Sequence, residues 1–254
     1  MDSDVRLGAQ ILSPINREEI IPHINKKVLY RISWGAQKAR GSKWEAVQKE
    51  LNEKYEEMLQ ELRKDPWIEP KAGYGHWYAS AENDTILIHH PKEPQHIIAR
   101  FPLPRQPVED GLCLSDYLPA QAQKETGLIS FQVVTVGKYA TQKINSLFEE
   151  GNYVEGYFAH GLAAQFAEAT ADYVHARIRA ELGLKKNQSR RYSWGYEPIP
   201  DLAQHKTLFE LIPAREKLGM DLTSANQLIP EQSTAAMVIH HEQARYFRIR
   251  IKGT

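Results

Sequence analysis

The sequence predicts an α+β fold in a single domain, on three observations. Two stretches carry apolar residues at helical spacings, several short runs of strand-forming residues lie between turn signals, and no Pro/Gly/Ser-rich linker divides the chain. With 254 residues, 42% hydrophobic and 25% charged, the composition is that of a globular domain with a sizeable core.

Residues 1–17 read as a flexible leader, so the domain is expected over 18–254. Short apolar pieces, Glu18 to Ile24 and Val28 to Trp34, flank Asn25, Lys26 and Lys27. From Ser42, the residues Trp44, Val47, Leu51, Tyr55, Met58, Leu59 and Leu62 share one helical face. Ser42 with Glu45 three residues on is a capping signature and Pro66 stops the helix, giving bounds of about 42 and 65. Its charged remainder, from Lys49 to Lys64, is a solvated face.

Strand-like runs follow at Gly75 to Ala81, Thr85 to His90 and Ile97 to Phe101, punctuated by Glu82-Asn83-Asp84 and Pro91-Lys92-Glu93-Pro94; they predict an antiparallel meander. Gly127 to Val136 is a further strand, and helix resumes after Gly137. Asn152 to Leu182 forms a second long helix, about 45 Å at ~1.5 Å per residue, closed by Gly183. Leu208 to Leu218 is helical apart from a break at Pro213. Alternation in Ala235 to His240 and in Tyr246 to Ile251 predicts a terminal hairpin, with Tyr246 on its polar side.

Lys+Arg and Asp+Glu balance at 32 each, so no basic field is present to capture a nucleic acid backbone. A single cysteine, Cys113, excludes an internal disulfide and any multi-thiolate ligand set, and fits a reducing cytoplasm. No run of about 18 apolar residues suggests a membrane span, and no export signal opens the chain. The ten histidines form no metal-ligand spacing: His89-His90 and His240-His241 point to opposite faces of strands, and His160 and His175 lie about 22 Å apart at ~1.5 Å per residue. Hydrolase elbows, phosphate loops and dinucleotide fingerprints are absent. Cys113, between Leu112 and Leu114, reads as a buried structural thiol.

The strongest candidate for a ligand site is the run from Arg190 to Asp201, which is cationic, aromatic and turn-rich. A guanidinium binds a carboxylate bidentately, a glycine admits a ligand to the backbone, and tyrosine rings cover an adenine or a cation. Such a set suits a small zwitterion; the other reading is a surface loop whose Trp194 and Tyr196 pack on the core. Glu168, in the middle of the second long helix among small and apolar residues, requires a cationic partner, either a ligand ammonium or one of the protein's own basic residues.

A family resemblance gathers these residues. Glu168 within Leu162 to Ala169, the His175-Ala176-Arg177-Ile178-Arg179 continuation, Arg191-x-x-x-Gly195-Tyr196, and Leu222-Thr223 through Pro230-Glu231-Gln232-Ser233-Thr234 to His241 and Tyr246-Phe247 resemble the reactivation domain of cobalamin-dependent methionine synthase. Gly75 to Ala79 and Cys113 to Tyr117 resemble two earlier landmarks of that family. The likeness runs from about Ile24 to Ile251 and keeps motif order.

The resemblance implies a single curved α+β domain, with a twisted antiparallel sheet and long helices, that binds S-adenosylmethionine in a shallow groove. It further implies that the ligand is presented to cob(II)alamin on a partner protein, with an electron from a flavodoxin-type donor, so that methyl transfer restores methylcobalamin. By the same resemblance Arg191 grips the methionine carboxylate and Glu168 the amino group. Gly195 and the backbone at Ser193 admit the ligand, Tyr196 covers it, and backbone near Thr234 and the ring of Tyr246 complete the groove. An acidic family position falls on Asn25, which can accept a hydrogen bond but adds no charge. A basic position falls on Gln165, an acidic one on Lys185, and Glu197 replaces a proline.

The sequence carries no cobalamin-binding Asp-x-His-x-x-Gly motif, homocysteine-binding zinc domain or folate barrel. It is therefore expected to work on a separate corrinoid protein or on a methionine synthase lacking this domain. Met1 and the full set of landmarks favour a free-standing protein over an excised domain. The competing reading is a non-catalytic module that binds S-adenosylmethionine or the corrinoid protein.

Overall fold

A computed structural model describes residues 5–123 and 125–249. Its strands are β1 (Gly8–Leu12), β2 (Lys71–Glu82), β3 (Thr85–His89), β4 (Ile97–Pro102), β5 (Gly127–Thr135), β6 (Arg190–Ser193), β7 (Asp221–Leu222), β8 (Leu228–Ile229) and β9 (Ser233–Ile239). Its α-helices are α1 (Arg17–Ile20), α2 (Lys26–Val28), α3 (Gly41–Lys64), α4 (Lys138–Glu149), α5 (Tyr153–Glu181), α6 (Gln204–Leu211) and α7 (Ala214–Leu218). Six strands hydrogen-bond in the antiparallel order β4-β3-β2-β5-β9-β6, and β1 joins them on β2.

Alternation along the central strands divides the core in two. Ala72, Tyr74, Val134 and Val238 face one side, where Leu59 and Leu62 of α3, Ile144 of α4, and Phe166 and Val174 of α5 cover them. Trp77, Phe131, Val133 and Met237 face the other side, against Trp194, Leu208, Phe209 and Ile212. The small residues of α5 allow close packing. A Cβ added at Gly161 would lie 2.7 Å from Trp34 Cδ1, so the indole needs the glycine's bare backbone.

The fold class, the meander β2-β3-β4, both long helices and the break at Pro213 match the sequence reading. Three local expectations do not. Residues 8–12, assigned to a flexible leader, form β1: β3 pairs only with residues 79–82 of β2, which leaves the edge at residues 72–76 open for β1. Residues 1–4 lie outside the described part.

The capping bond expected of Ser42 is not made, because α3 begins one residue earlier, with Arg40 at its cap and no side-chain capping bond. Ser42 is thereby inside the first turn, where its hydroxyl cannot serve as the cap. The terminal hairpin is also absent: residues 246–249 are not strand, and 250–251 lie outside the described part. Residues 236–239 of β9 have β5 on one edge and β6 on the other, so no edge remains for a returning strand.

Candidate functional site

The turn-rich run begins as an edge strand. In β6, Arg191 pairs with Val238 and Ser193 with Ala236, so both point toward the face covered by α5. Tyr192 points into the opposite core and donates its hydroxyl to Arg245 O at 2.9 Å. Glu168, Asp172, His175 and Arg179 recur at i, i+4, i+7 and i+11 on α5 and form a polar stripe along this helix. Asp172, His175 and Arg179 were not singled out from the sequence as site residues, yet this spacing was a signal that would have found them.

Arg191 lies between the two elements. Its Nη2 donates to Glu168 Oε2 at 2.8 Å, and its Nη1 stands 3.3 Å from Asp172 Oδ1. That second contact lacks hydrogen-bond geometry, and Nη1 is buried without a hydrogen-bond partner. The arginine side chain is 16% exposed against 52% and 59% for the two carboxylates, so a cation forms the floor and acids form the rim. Glu168 is thus not the buried carboxylate expected from its neighbours. Ala167 and Ala169 point to other faces of the helix and take the burial themselves. Its partner within the protein is Arg191.

The chain then turns. Gly195 has φ of +85°, a region in which an L side chain is strained, and its N–H donates to Ile199 O at 2.9 Å. Trp194 is buried, with Nε1 donating to Gln204 Oε1 at 3.1 Å, as the surface-loop reading required. Tyr196 does not pack inward; it is 69% exposed. Tyr246 is also exposed and donates its hydroxyl to Arg191 O at 2.9 Å, tying the C-terminal segment to the strand.

These residues line one groove of three adjoining compartments. The first, about 600 Å³, runs from Glu168, Ser193 and Tyr196 to Thr223, Gln227 and Thr234. The second, about 310 Å³, is bounded by Glu168, Arg191, Ser193, Tyr196 and Tyr246. The third, about 390 Å³, shares Arg191 and Tyr246 with the second and extends past Asp172, His175 and Arg179 to Lys186 and Arg190. Arg191, Glu168, Ser193, Tyr196, Thr234 and Tyr246 all line the groove, and Gly195 shapes the turn beside it. Asn25 is absent from all three linings: its Oδ1 accepts the Val28 N–H at 3.1 Å, which commits the side chain to capping α2.

Elsewhere the polar chemistry is internal. His76 Nδ1 and His240 Nε2 both meet Ser130 Oγ at 2.7 Å, and His76 Nε2 meets Glu181 Oε2 at 3.2 Å. Burial pushes His240 down to about 3. His175, bonded to Ser189 Oγ at 2.6 Å, is also lowered to about 3, by burial and then by Arg179 and Arg191. Burial raises the Cys113 thiol above its ordinary value. Among the described residues no group of three or more His, Cys, Asp or Glu side chains is placed to hold a metal ion, and no helix is long and apolar enough to cross a membrane.

Comparison with known proteins decides the family. The family model described as "Vitamin B12 dependent methionine synthase, activation domain" matches residues 19–252. The chain belongs to this family. Its methionine synthase relatives include those of Mycobacterium leprae and Mycobacterium tuberculosis, each 28% identical over 95% of this chain. The chain spans only 22% and 23% of the lengths of those two proteins. The activation-domain fold is matched by the crystal structure of the MetH reactivation domain bound to AdoHcy, with a TM-score of 0.86 and 21% identity over 96% of this chain and 82% of that one.

Proposed function

We propose that this activation domain binds S-adenosylmethionine in the groove and presents it to cob(II)alamin carried by a separate corrinoid protein, or by a methionine synthase lacking this domain, in the reactivation step of methionine biosynthesis. The observation that carries the reading is the state of Arg191. Arg191, one of whose guanidinium donors is buried without a hydrogen-bond partner, lines a groove rimmed by the Glu168 carboxylate and exposed tyrosines. The ligand of the solved reactivation domain, AdoHcy, supports the same choice.

The groups present fit such a ligand. The Arg191 guanidinium, whose Nη1 makes no hydrogen bond within the protein, offers the donor group a methionine carboxylate needs. Glu168 offers an oxygen to the ammonium, and the half-exposed rim lets that carboxylate turn from Arg191 toward the ligand. Tyr196 and Tyr246 offer faces to the adenine or the sulfonium. When bound, S-adenosylmethionine would supply an electrophilic methyl group to cob(I)alamin, formed from cob(II)alamin by one electron from a flavodoxin-type donor, and would leave as S-adenosylhomocysteine. The residues of this chain hold and orient the ligand; the shallow groove leaves a face open to the partner. Cytoplasmic location fits this role.

Calorimetry with S-adenosylmethionine tests the reading. The wild-type chain is expected to bind it, and Arg191→Ala to bind at least tenfold more weakly. Absence of wild-type binding would refute the function, whereas equal binding by both proteins would refute the site. A second reading, a module that binds the ligand or the corrinoid protein without supporting transfer, is favoured by Asn25, which caps a helix where the family places an acid. Methylation of a corrinoid partner in a reducing assay separates the two.

A further inference from the structure

The third compartment of the groove carries chemistry that a methionine carboxylate does not require. Arg179 from α5, Lys186 from the following loop, and Arg190 and Arg191 from β6 line about 390 Å³, with Asp172 as the one carboxylate in the lining. Arg191 is already shared by Glu168 and Asp172. Among the described residues no carboxylate lies within ion-pair distance of Arg179, Lys186 or Arg190. Arg63, Arg100, Arg105, Arg177 and Arg215, by contrast, each hold at least one.

Arg190 is held in place, since its Nε donates to Ala244 O and its guanidinium lies 5.7 Å from the Tyr246 ring. Arg179 is half-buried and makes no described hydrogen bond; burial disfavours its charged form, with Asp172 opposing that effect. His175 stands among these groups without adding to their charge, because its ring is neutral near pH 7 and meets the Ser189 hydroxyl. The compartment is thus a concave site lined by three cations from three chain segments, with Asp172 acting on Arg179 from beyond ion-pair distance.

We propose that this compartment is an anion site that takes a phosphate group, as inorganic phosphate or a phosphate monoester, beside the S-adenosylmethionine site. A tetrahedral dianion offers oxygens in several directions at once, which matches donors arriving from a helix, a loop and a strand. A single carboxylate would engage Arg191 and leave Arg179 and Lys186 unanswered. Arg191 and Tyr246, shared by the two compartments, place the phosphate next to the amino-acid end of the proposed ligand.

The test is titration of the full chain with inorganic phosphate at pH 7.5 and constant ionic strength, followed by calorimetry and phosphorus NMR. Saturable one-site binding is expected, weakened at least fivefold in Arg179→Met and in Lys186→Met. Lys186 is exposed, so its variant remains informative if Arg179→Met folds poorly. A phenyl phosphate titration distinguishes the sources: monoester binding at least as tight as inorganic phosphate points to a phosphorylated metabolite, and weaker binding to the free ion. No saturable phosphate binding overturns the proposal, and so does binding unchanged in the Arg179→Met, Lys186→Met double variant, which would mark an adventitious ion only. S-adenosylmethionine affinity in these variants is expected to be unchanged, so failure of one site is read separately from failure of the other.

Discussion

Two arginines in this molecule stand between two carboxylates, and they are built to different ends. Arg105 donates to Asp84 at 2.9 Å, to both oxygens of Asp116 at 2.8 and 2.6 Å, and to Gly111 O at 2.7 Å. Asp116 also accepts the Cys113 N–H at 2.9 Å, and the adjacent guanidinium holds its carboxyl below the usual value. Arg191 makes one hydrogen bond to Glu168 and keeps Nη1 without one. Arg105 is a completed clamp that pins the loop before β5 to the sheet. Arg191 is an incomplete one, and incompleteness at the floor of a groove is what a ligand can use.

The comparison breaks most readily at Arg191. Arg191→Ala removes a charged donor that contributes about 1.5–3 kcal/mol to a hydrogen bond, so S-adenosylmethionine affinity should fall roughly ten- to hundredfold. The denaturant midpoint should move little, because Glu168 and Asp172 are half-exposed and rehydrate. A large stability loss with intact binding would make Arg191 a second Arg105.

Arg105→Met should give the opposite pattern. Its clamp is about one-third exposed, so the loss is discounted to about 1–2 kcal/mol. Urea titration should show it as a lower midpoint, while ligand affinity stays as in wild type. Unchanged stability would show that the loop is held by the apolar contacts of Cys113 and Leu114 alone.

The difference between the two arginines also marks the limit of what the sequence revealed. The helices α3 and α5 were legible because periodicity persists over 24 and 29 residues, and the meander because turn residues separate its strands. Strand β6 was not, since it has only four residues, RRYS, and leans on β9 from more than forty positions away. The alternation at 246–249 was present, but strand formation requires a free edge, which alternation does not report. Arg191, Gly195 and Tyr196 were legible as a motif, whereas the pairing of Arg191 with Glu168 follows only from how α5 crosses β6. The assignment of Asn25 to the groove rested on alignment to a family position and missed the local competition from its helix-capping role.

Acid should expose the chemistry behind Arg191. His175 and His240 are both lowered to about 3 in the folded protein, against an ordinary value of 6.5. Between pH 6.5 and about 3 the unfolded chain therefore binds more protons at these rings, and stability rises with pH across that window. His175→Gln should flatten the dependence by at most one proton, or about 1.4 kcal/mol per pH unit. The Arg105 clamp adds a loss in the same direction at lower pH: the depressed Asp116 carboxyl contributes above 3.8 and ceases to as pH falls through its folded value. Urea midpoints from pH 4 to 7 in wild type and His175→Gln check this, and an unchanged slope would show that His175 takes up its proton alike in the folded and unfolded chain.

The smallest effect belongs to Asp172, and its sign is the informative part. If the half-met contact between Asp172 and Arg191 Nη1 competes with a ligand carboxylate, Asp172→Asn frees the donor and tightens binding of S-adenosylmethionine. A contact without hydrogen-bond geometry to a largely exposed carboxylate contributes about 0.2–1 kcal/mol, so the gain is roughly fivefold at most. The 3.3 Å separation without hydrogen-bond geometry supports competition, because little is lost when the contact breaks. Weaker binding in Asp172→Asn would mean that Asp172 takes the ammonium of the ligand, supplying the negative charge that Asn25 lacks. Calorimetry on Asp172→Asn and Glu168→Gln side by side resolves this. Competition predicts opposite signs for the two variants, since Glu168 is expected to hold the amino group, whereas a shared ammonium site predicts a loss in both.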